Sequence, residues 1–455
     1  MWIRLACASL ALSGAFAPAI SPAGQAGSYA ITNARVLSML SAEVSEGQTV
    51  VIVDGVIASV GSDEVARIPA DALRIDAGGR YLMPGLAEMH AHVPVPSRDG
   101  DYLDRVLRLY VANGVTLIRG MLGNPEHLEL RGQLARNQRV GPRLITSGPS
   151  LNGRSVPGPD EGARMVREQK AAGYDFLKLH PGLSLAAFDA IVAEAHRAGM
   201  PFAGHVSEEV GLEHTLAAQQ ASIDHLDGYM PALVPARALP AADEWGFFGF
   251  AIARLADESA IEQWAARTAR AGVWNVPTQA LMVNWAGPVP PEQLLRRPEM
   301  RYVAPELRAQ YLERKRQLLD SDAYSPDRAR QFLRVRGDLI LALHRAGAGL
   351  LLGSDAPQVF NVPGFSVHEE LELLVDAGLD PYQALVTGTV NPARFFGREG
   401  EFGIVAAGAA ADLILLRGNP LDEIGNTRTI DGVMLRGQWF DRGDLDGLLE
   451  RLEYR

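Results

Sequence analysis

Two rhythms of apolar and polar positions divide this chain. From Tyr29 to Gly85, "YAITNARVLS", "QTVVIVDGVIASVG" and "LRIDAGGRYLMPG" are rich in β-branched residues and broken by Asp-Gly and Gly-Gly pairs. That texture predicts short strands joined by tight turns. It returns at the far end in "GIVAAGAAADLILLRGNPL" and "IDGVMLRGQWFDRG". Between these β-rich ends the rhythm changes. Short apolar runs ("GLAEMHAHV", "GVTLIRG", "PRLITSG", "DFLKLH", "PFAGHV", "SIDHLDG", "VWNVPT", "GLLLGSDAP") alternate with stretches such as "LAAFDAIVAEAHRAG". There the apolar residues recur every three or four positions, the helical spacing. About eight strand-helix alternations over 85–397 predict an α/β fold of the (β/α)8 TIM barrel type. A charged helical piece, about 290–336, reads as an insertion before the last strand.

Composition adds little to that picture. The chain of 455 residues is 47% hydrophobic and 21% charged, ordinary for a soluble globular protein of one large domain or two. A formal net charge of -11 carries no basic stripe and argues against nucleic acid as a partner. The N-terminus does change the expectation. In "MWIRLACASLALSGAFAPAISPAGQAGSYA" one positive residue, Arg4, precedes an apolar run and then small residues. This is the layout of a signal peptide over 1–26, with cleavage after Ala26. The apolar run is shorter than the ~20 residues a bilayer span needs, so no stable membrane anchor is expected. The one cysteine, Cys7, lies within it. The mature chain would then be free of thiols and periplasmic or secreted.

The candidate chemistry sits where strands end. His90 and His92 are two apart, so in a strand both point to one face. Alone, the pair is better explained as ordinary surface or packing histidines than as metal ligands. Lys178 falls between Leu177 and Leu179 on a strand of a closed interior. A buried lysine must lose its proton or find a partner. Neutral, it can take up carbon dioxide and become an anionic carbamate; snorkelling at the rim is the alternative. His205, His225 and Asp355 end three further strands, and in a barrel such ends converge on one mouth. Neutral imidazoles and a carboxylate suit zinc and related cations. His180, two after Lys178, is expected to share its face. Tyr229, just past His225, and Arg154, in the loop "TSGPSLNGRSVPG", are candidate substrate contacts. His127 and His368 follow strand ends and are open to either substrate or loop contacts. His196, His214 and His344 fall on helical surfaces.

In "MPGLAEMHAHV", "YDFLKLH", "GHV", "SIDHLDG", "GSDAP" and "GTVNPARFFG…GIVAAGAAADLILL…NPL", the sequence resembles the amidohydrolase superfamily of metal-dependent hydrolases, in its imidazolonepropionase-like and prolidase-like branch. The resemblance spans essentially the whole mature chain. It implies a barrel over 85–397 beside a small β-sandwich domain composed of 27–84 plus 398–455. It also implies a binuclear site with two zinc-like ions, other divalent metals remaining open. His90, His92 and Asp355 would hold the buried ion, and His205 and His225 the outer one. Lys178, carboxylated, would bridge them. A hydroxide between the ions would attack, with Asp355 as general base and then acid toward the leaving nitrogen.

The first expectation of function is therefore amide hydrolysis by a dipeptidase or N-acyl amino acid hydrolase acting on a small or dipeptide-like substrate. A cyclic-amide hydrolase, which would use one metal and an unmodified lysine, is second. Lactone or phosphotriester hydrolysis is third, and a non-catalytic scaffold of the same fold is the alternative class. Homo-oligomerisation is left open. Two departures from the family's pattern stand out. Gly120 follows Arg119 where relatives often carry Asp, and the sixth strand ends Asp224-His225-Leu226-Asp227 rather than in the commoner "IEHG".

Overall fold

A computed structural model describes residues 27–454; the expected signal peptide and Cys7 lie outside the described residues. The N-terminal strands are β1 (Ser28–Leu37), β2 (Val44–Val53), β3 (Val56–Ser62), β4 (Leu73–Asp76) and β5 (Tyr81–Pro84). The middle contributes β6 (Leu86–Ala91), β7 (Val115–Gly120), β8 (Arg143–Thr146), β9 (Leu177–Leu179), β10 (Phe202–Gly204), β11 (Ser222–Asp224) and β12 (Trp274–Val276). Last come β13 (Leu413–Leu416), β14 (Ile430–Leu435) and β15 (Gln438–Asp441).

Both chain ends enter one eight-stranded sheet, in the order β15-β14-β13-β5-β1-β2-β3 with β4 beside β1. β5 is the seam, parallel to β1 and antiparallel to β13. Asp54 and Gly55 both take positive φ between β2 and β3, the geometry a two-residue hairpin needs. Arg436 and Gly437 repeat it between β14 and β15. Ile31, Val50, Ile52, Leu82, Leu413 and Met434 form the apolar core of this sheet.

The middle strands are wholly parallel and, apart from two positions in β8 and one in β12, buried along their whole length. Parallel strands covered on both faces account for continuous apolar runs in place of alternation. β6-β7-β8 form one sheet and β9-β10-β11-β12 a second. Isolated parallel bridges connect them, Ser147 to Phe176 on one side. On the other side the segment after Leu350 bridges Asn275 in β12 and, through Ala356, Ala91 at the end of β6. That segment was expected to be the eighth regular strand and is not one. It slips between its neighbours on glycines: a Cβ on Gly353 would lie 2.9 Å from the His90 nitrogen, and one on Gly349 2.2 Å from the Trp274 ring.

The connecting helices carry the expected signals. The helix Leu185–Ala198 begins at Ser184, whose hydroxyl accepts from Ala187 N–H, and ends at left-handed Gly199. The charged piece forms the helices Pro305–Leu319 and Pro326–Arg345, the second running past the expected boundary at 336. Among the described residues no helix is long and apolar enough to cross a membrane.

Candidate metal centre

Strand parity sends His90 inward from β6, and Glu88, two residues earlier, shares its face. The fully buried Glu88 carboxylate accepts from the His90 N–H and from both the N–H and the hydroxyl of Ser354. Burial pushes its carboxyl up to about 8. Glu88 thus fastens β6 to the segment carrying Asp355, which has left-handed backbone at φ 62°. Asp355 Oδ1 lies 2.7 Å from His92 Nε2 and 3.6 Å from His90 Nε2, and Oδ2 lies 3.8 Å from His225 Nδ1. Burial alone would raise the Asp355 carboxyl; the facing His90 and His92 outweigh it and hold the group below its ordinary value.

His225, at the end of β11, meets His90 with ring centroids 4.4 Å apart, and Thr278 Oγ1 lies 2.9 Å from its Nδ1. Burial is the main reason that His90 falls to about 4 and His225 well below its usual value. Both rings are therefore neutral near pH 7 and offer lone pairs. His90, His225 and Asp355 each present a ligand atom within 4.8 Å of the others. His90 Nδ1 faces Asp224 Oδ2 at 3.3 Å, and His90 Nε2 is turned toward Asp355. A cation among His90, His225 and Asp355 would take up the lone pairs that these groups turn toward one another. The donor set fits a divalent metal, with two imidazoles, a carboxylate and His92 alongside. His92 is the exposed member, its side chain 21% accessible at the rim.

Lys178 is fully buried in β9, and its Nζ lies 3.1 Å from Asp224 Oδ2. Burial lowers its pKa, and Asp224 opposes that. Asp224 also accepts from Arg119 Nη2 and from the Ser222 hydroxyl. Arg119 in turn donates to the Met89 carbonyl and lies over the Phe176 and Phe395 rings. Sequence reasoning met Asp224 only as part of a departure from the family's pattern and Arg119 only as the neighbour of one, yet both are buried beside the ligands. The readable signal was Ser222-x-Asp224 on the inward face, plus two buried cations in need of a counter-charge.

His205 sits further out, and its Nδ1 lies 3.0 Å from Asp227 Oδ2. It stacks on His180 with centroids 5.0 Å apart. The His180 Nδ1 lies 2.6 Å from the Ser150 hydroxyl, and burial lowers the ring to about 2. Arg154 is exposed and lines a shallow cleft with His180, Ser150 and Asn152.

Tyr229 corrects an expectation. Positive φ at His225, Leu226 and Gly228 turns the chain away from the mouth. The Tyr229 hydroxyl instead contacts Thr268 and Asn275 in a fully buried position, a packing role. His127 and His368 also turn out to be buried helical residues, in contact with the carbonyls of Pro94 and Asn113 respectively. Of the three helix histidines, His196 is exposed while His214 and His344 are half-buried.

Residues 81–440 match the model of the amidohydrolase family. The chain belongs to that family. Its members are generally metal-dependent hydrolases acting on carbon–nitrogen bonds, in keeping with a His-His-Asp cluster able to hold a metal. Among solved structures, bottromycin amidohydrolase is 26% identical with a TM-score of 0.72, covering 95% of this chain and 91% of that one. A Xaa-Pro dipeptidase with methionine in its active site is 17% identical with a TM-score of 0.65, covering 91% and 100%, and shows the shared fold alone. The enamidase of Eubacterium barkeri is 38% identical over 66 residues, which is 14% of this chain and 16% of the enamidase. The match therefore spans less than a fifth of that relative.

Proposed function

We propose that this protein hydrolyses the amide bond of a dipeptide or N-acyl amino acid, using divalent metal held at the strand ends. The observation that carries the reading is the convergence of ligand atoms of His90, His225 and Asp355 within 4.8 Å of one another. Bound zinc would polarise the scissile carbonyl and lower the pKa of water. Asp355 receives the proton of the attacking water and returns it to the leaving nitrogen. Arg154, exposed and without an acidic partner among the described residues, is placed to bind the substrate carboxylate.

In a two-metal form His205 and His225 would hold the second ion. Lys178 would release two protons, one from its ammonium and one after Nζ adds to carbon dioxide, and the resulting carbamate would offer an anionic ligand. Arg119 balances the added negative charge beside Asp224. The isolated bridges at Ser147, Asn275 and Ala91 support a closed barrel over 85–397, with the chain ends as the accompanying β-domain. Export to the periplasm or exterior rests on the 1–26 layout.

One observation favours a second reading. An ammonium on Lys178 held by Asp224 cannot bridge, which would leave one metal, as in a cyclic-amide hydrolase. Metal quantification on purified protein, coupled to a screen of dipeptides, N-acyl amino acids, cyclic amides, lactones and phosphotriesters, separates these cases. Two zinc ions per chain, reduced in Lys178→Ala, support the carbamate; one ion, unchanged by that substitution, supports the second reading. A protein without zinc, and inert after zinc and bicarbonate are supplied, would be a scaffold.

A further inference from the structure

Next to the ligand cluster lies a cleft of about 530 Å³, in the size range of small-molecule sites. Its inner end is formed by His205 and Asp227, and its walls include Trp245, Phe247, Phe248 and Trp264. Phe248 is held in left-handed backbone at φ 50°, between Gly246 and Gly249, both also at positive φ. A bulky residue is strained there, and it stays only when its surroundings dictate it. They do: a Cβ on Gly249 would lie 2.6 Å from Met230 Cβ, so the turn has no room to relax. The outcome is a phenyl ring 4.8 Å from the His225 ring and nearly parallel to His205 at 5.9 Å.

The charge of the cleft has one sign. Glu208, Glu213 and Asp227 line it, with no lysine or arginine. Glu213 is paired with Arg267, and Asp227 is engaged by His205 and by the N–H groups of Val206 and Gly228. Glu208 is exposed, with no hydrogen-bond or ion-pair partner among the described residues. Aromatic faces beside a free carboxylate suit an ammonium group and disfavour an anion. The cleft with Arg154 shares Pro181 with this one and carries the opposite charge, which gives the mouth a polarity.

We propose that the aromatic cleft binds the acyl half of the substrate, and that this half is an aromatic amino-acid residue with a free ammonium group. The substrate class is then a dipeptide with Phe, Tyr or Trp at its N-terminus. This rests on the reading of the chain as an amide hydrolase.

The test uses the full zinc-loaded protein in two arms. In the first, kcat/KM is measured for Phe-Ala, Ala-Ala, Asp-Ala and N-acetyl-Phe-Ala. Phe-Ala is expected to lead Ala-Ala and N-acetyl-Phe-Ala by about tenfold or more, with Asp-Ala poorest. Glu208→Gln should erase the lead over N-acetyl-Phe-Ala by lowering kcat/KM for Phe-Ala. In the second arm, phenethylamine and phenylacetate are titrated against tryptophan fluorescence, since Trp245 and Trp264 line the cleft. Phenethylamine alone should bind, about tenfold more weakly in Phe248→Ala. Equal rates for Phe-Ala and Ala-Ala would overturn the cleft assignment and leave amide hydrolysis standing. Phenethylamine binding without turnover of any amide would uphold the cleft's ligand class and overturn the hydrolase reading. Neither binding nor turnover would overturn both.

Discussion

The two sides of the mouth are built from opposite materials. On one side, His90, Lys178, Asp224, His225 and Asp355 are at most 4% exposed; the first four stand on strands or immediately after one, and Asp355 on the segment that bridges β12 and β6. Glu88, Ser222 and Thr278 fix them through hydrogen bonds. On the other, Phe247 is 45% exposed, and Phe247 and Phe248 stand in a glycine-bounded turn between strands. Groups that must hold a reaction geometry gain from rigid elements, while substrate choice is commonly written in loops. The strand side should therefore resist substitution poorly, and the cleft side should tolerate it with altered preference.

The largest expected effect falls on the strand side. Asp355→Asn should lower kcat/KM by about 10²–10⁴ through loss of proton transfer, with a nearly unchanged unfolding midpoint. A near-normal rate would remove Asp355 from the chemistry. Next, Asp224→Asn leaves Lys178 and Arg119 buried without their shared counter-charge. A stability loss of about 3–5 kcal/mol is expected from urea denaturation. Little change would mean that the buried cations find other partners, and the contrast between the two sides would weaken.

A third test concerns the wall behind His225. The Glu370 carboxylate accepts from the N–H groups of Gln279 and Ala280, just after Thr278. Burial raises its carboxyl from 4.5 to about 7. Between those values the folded chain keeps a proton that the unfolded chain releases. Its contribution to stability is therefore full below pH 4.5 and lost as pH rises through 7. Glu370→Gln should remove up to about 1.4 kcal/mol per pH unit of that slope; an unchanged slope in denaturation at pH 5, 6 and 7 would contradict it. The smallest effect belongs to Tyr229→Phe, which loses two hydrogen bonds far from the mouth. About 1 kcal/mol of stability should go, with kcat and KM intact. A raised KM would return Tyr229 to the substrate.

Which of these residues could be read from the sequence follows from how locally each is determined. Period-two alternation was enough to put His90 inward, and strand ends located His205, His225 and Lys178, because both depend on neighbouring residues only. Asp355 was found by its strand-like run, though the run itself bends around Gly353 and forms bridges in place of a strand. Tyr229 was misjudged because consecutive positive φ values reverse the chain, and nothing in "DHLDGY" apart from Gly228 announces them. Asp224 became meaningful only beside Lys178 and Arg119, which β7, β9 and β11 bring together. The aromatic wall in "EWGFFGF" has no periodicity, and its value appears only once the ring faces His205.

The seam strand β5 has a consequence for the timing of assembly. Its neighbours β1 and β13 lie at opposite ends of the chain, and one residue, Gly85, separates it from β6, which carries His90. During synthesis β5 therefore presents an open edge until β13 emerges. Pairing over so long a separation is slow, because the loop entropy is lost before the contacts form. The strand that carries His90 is thus anchored from behind only after β13 has been made, which ties the ordering of the candidate metal centre to a strand far along the chain.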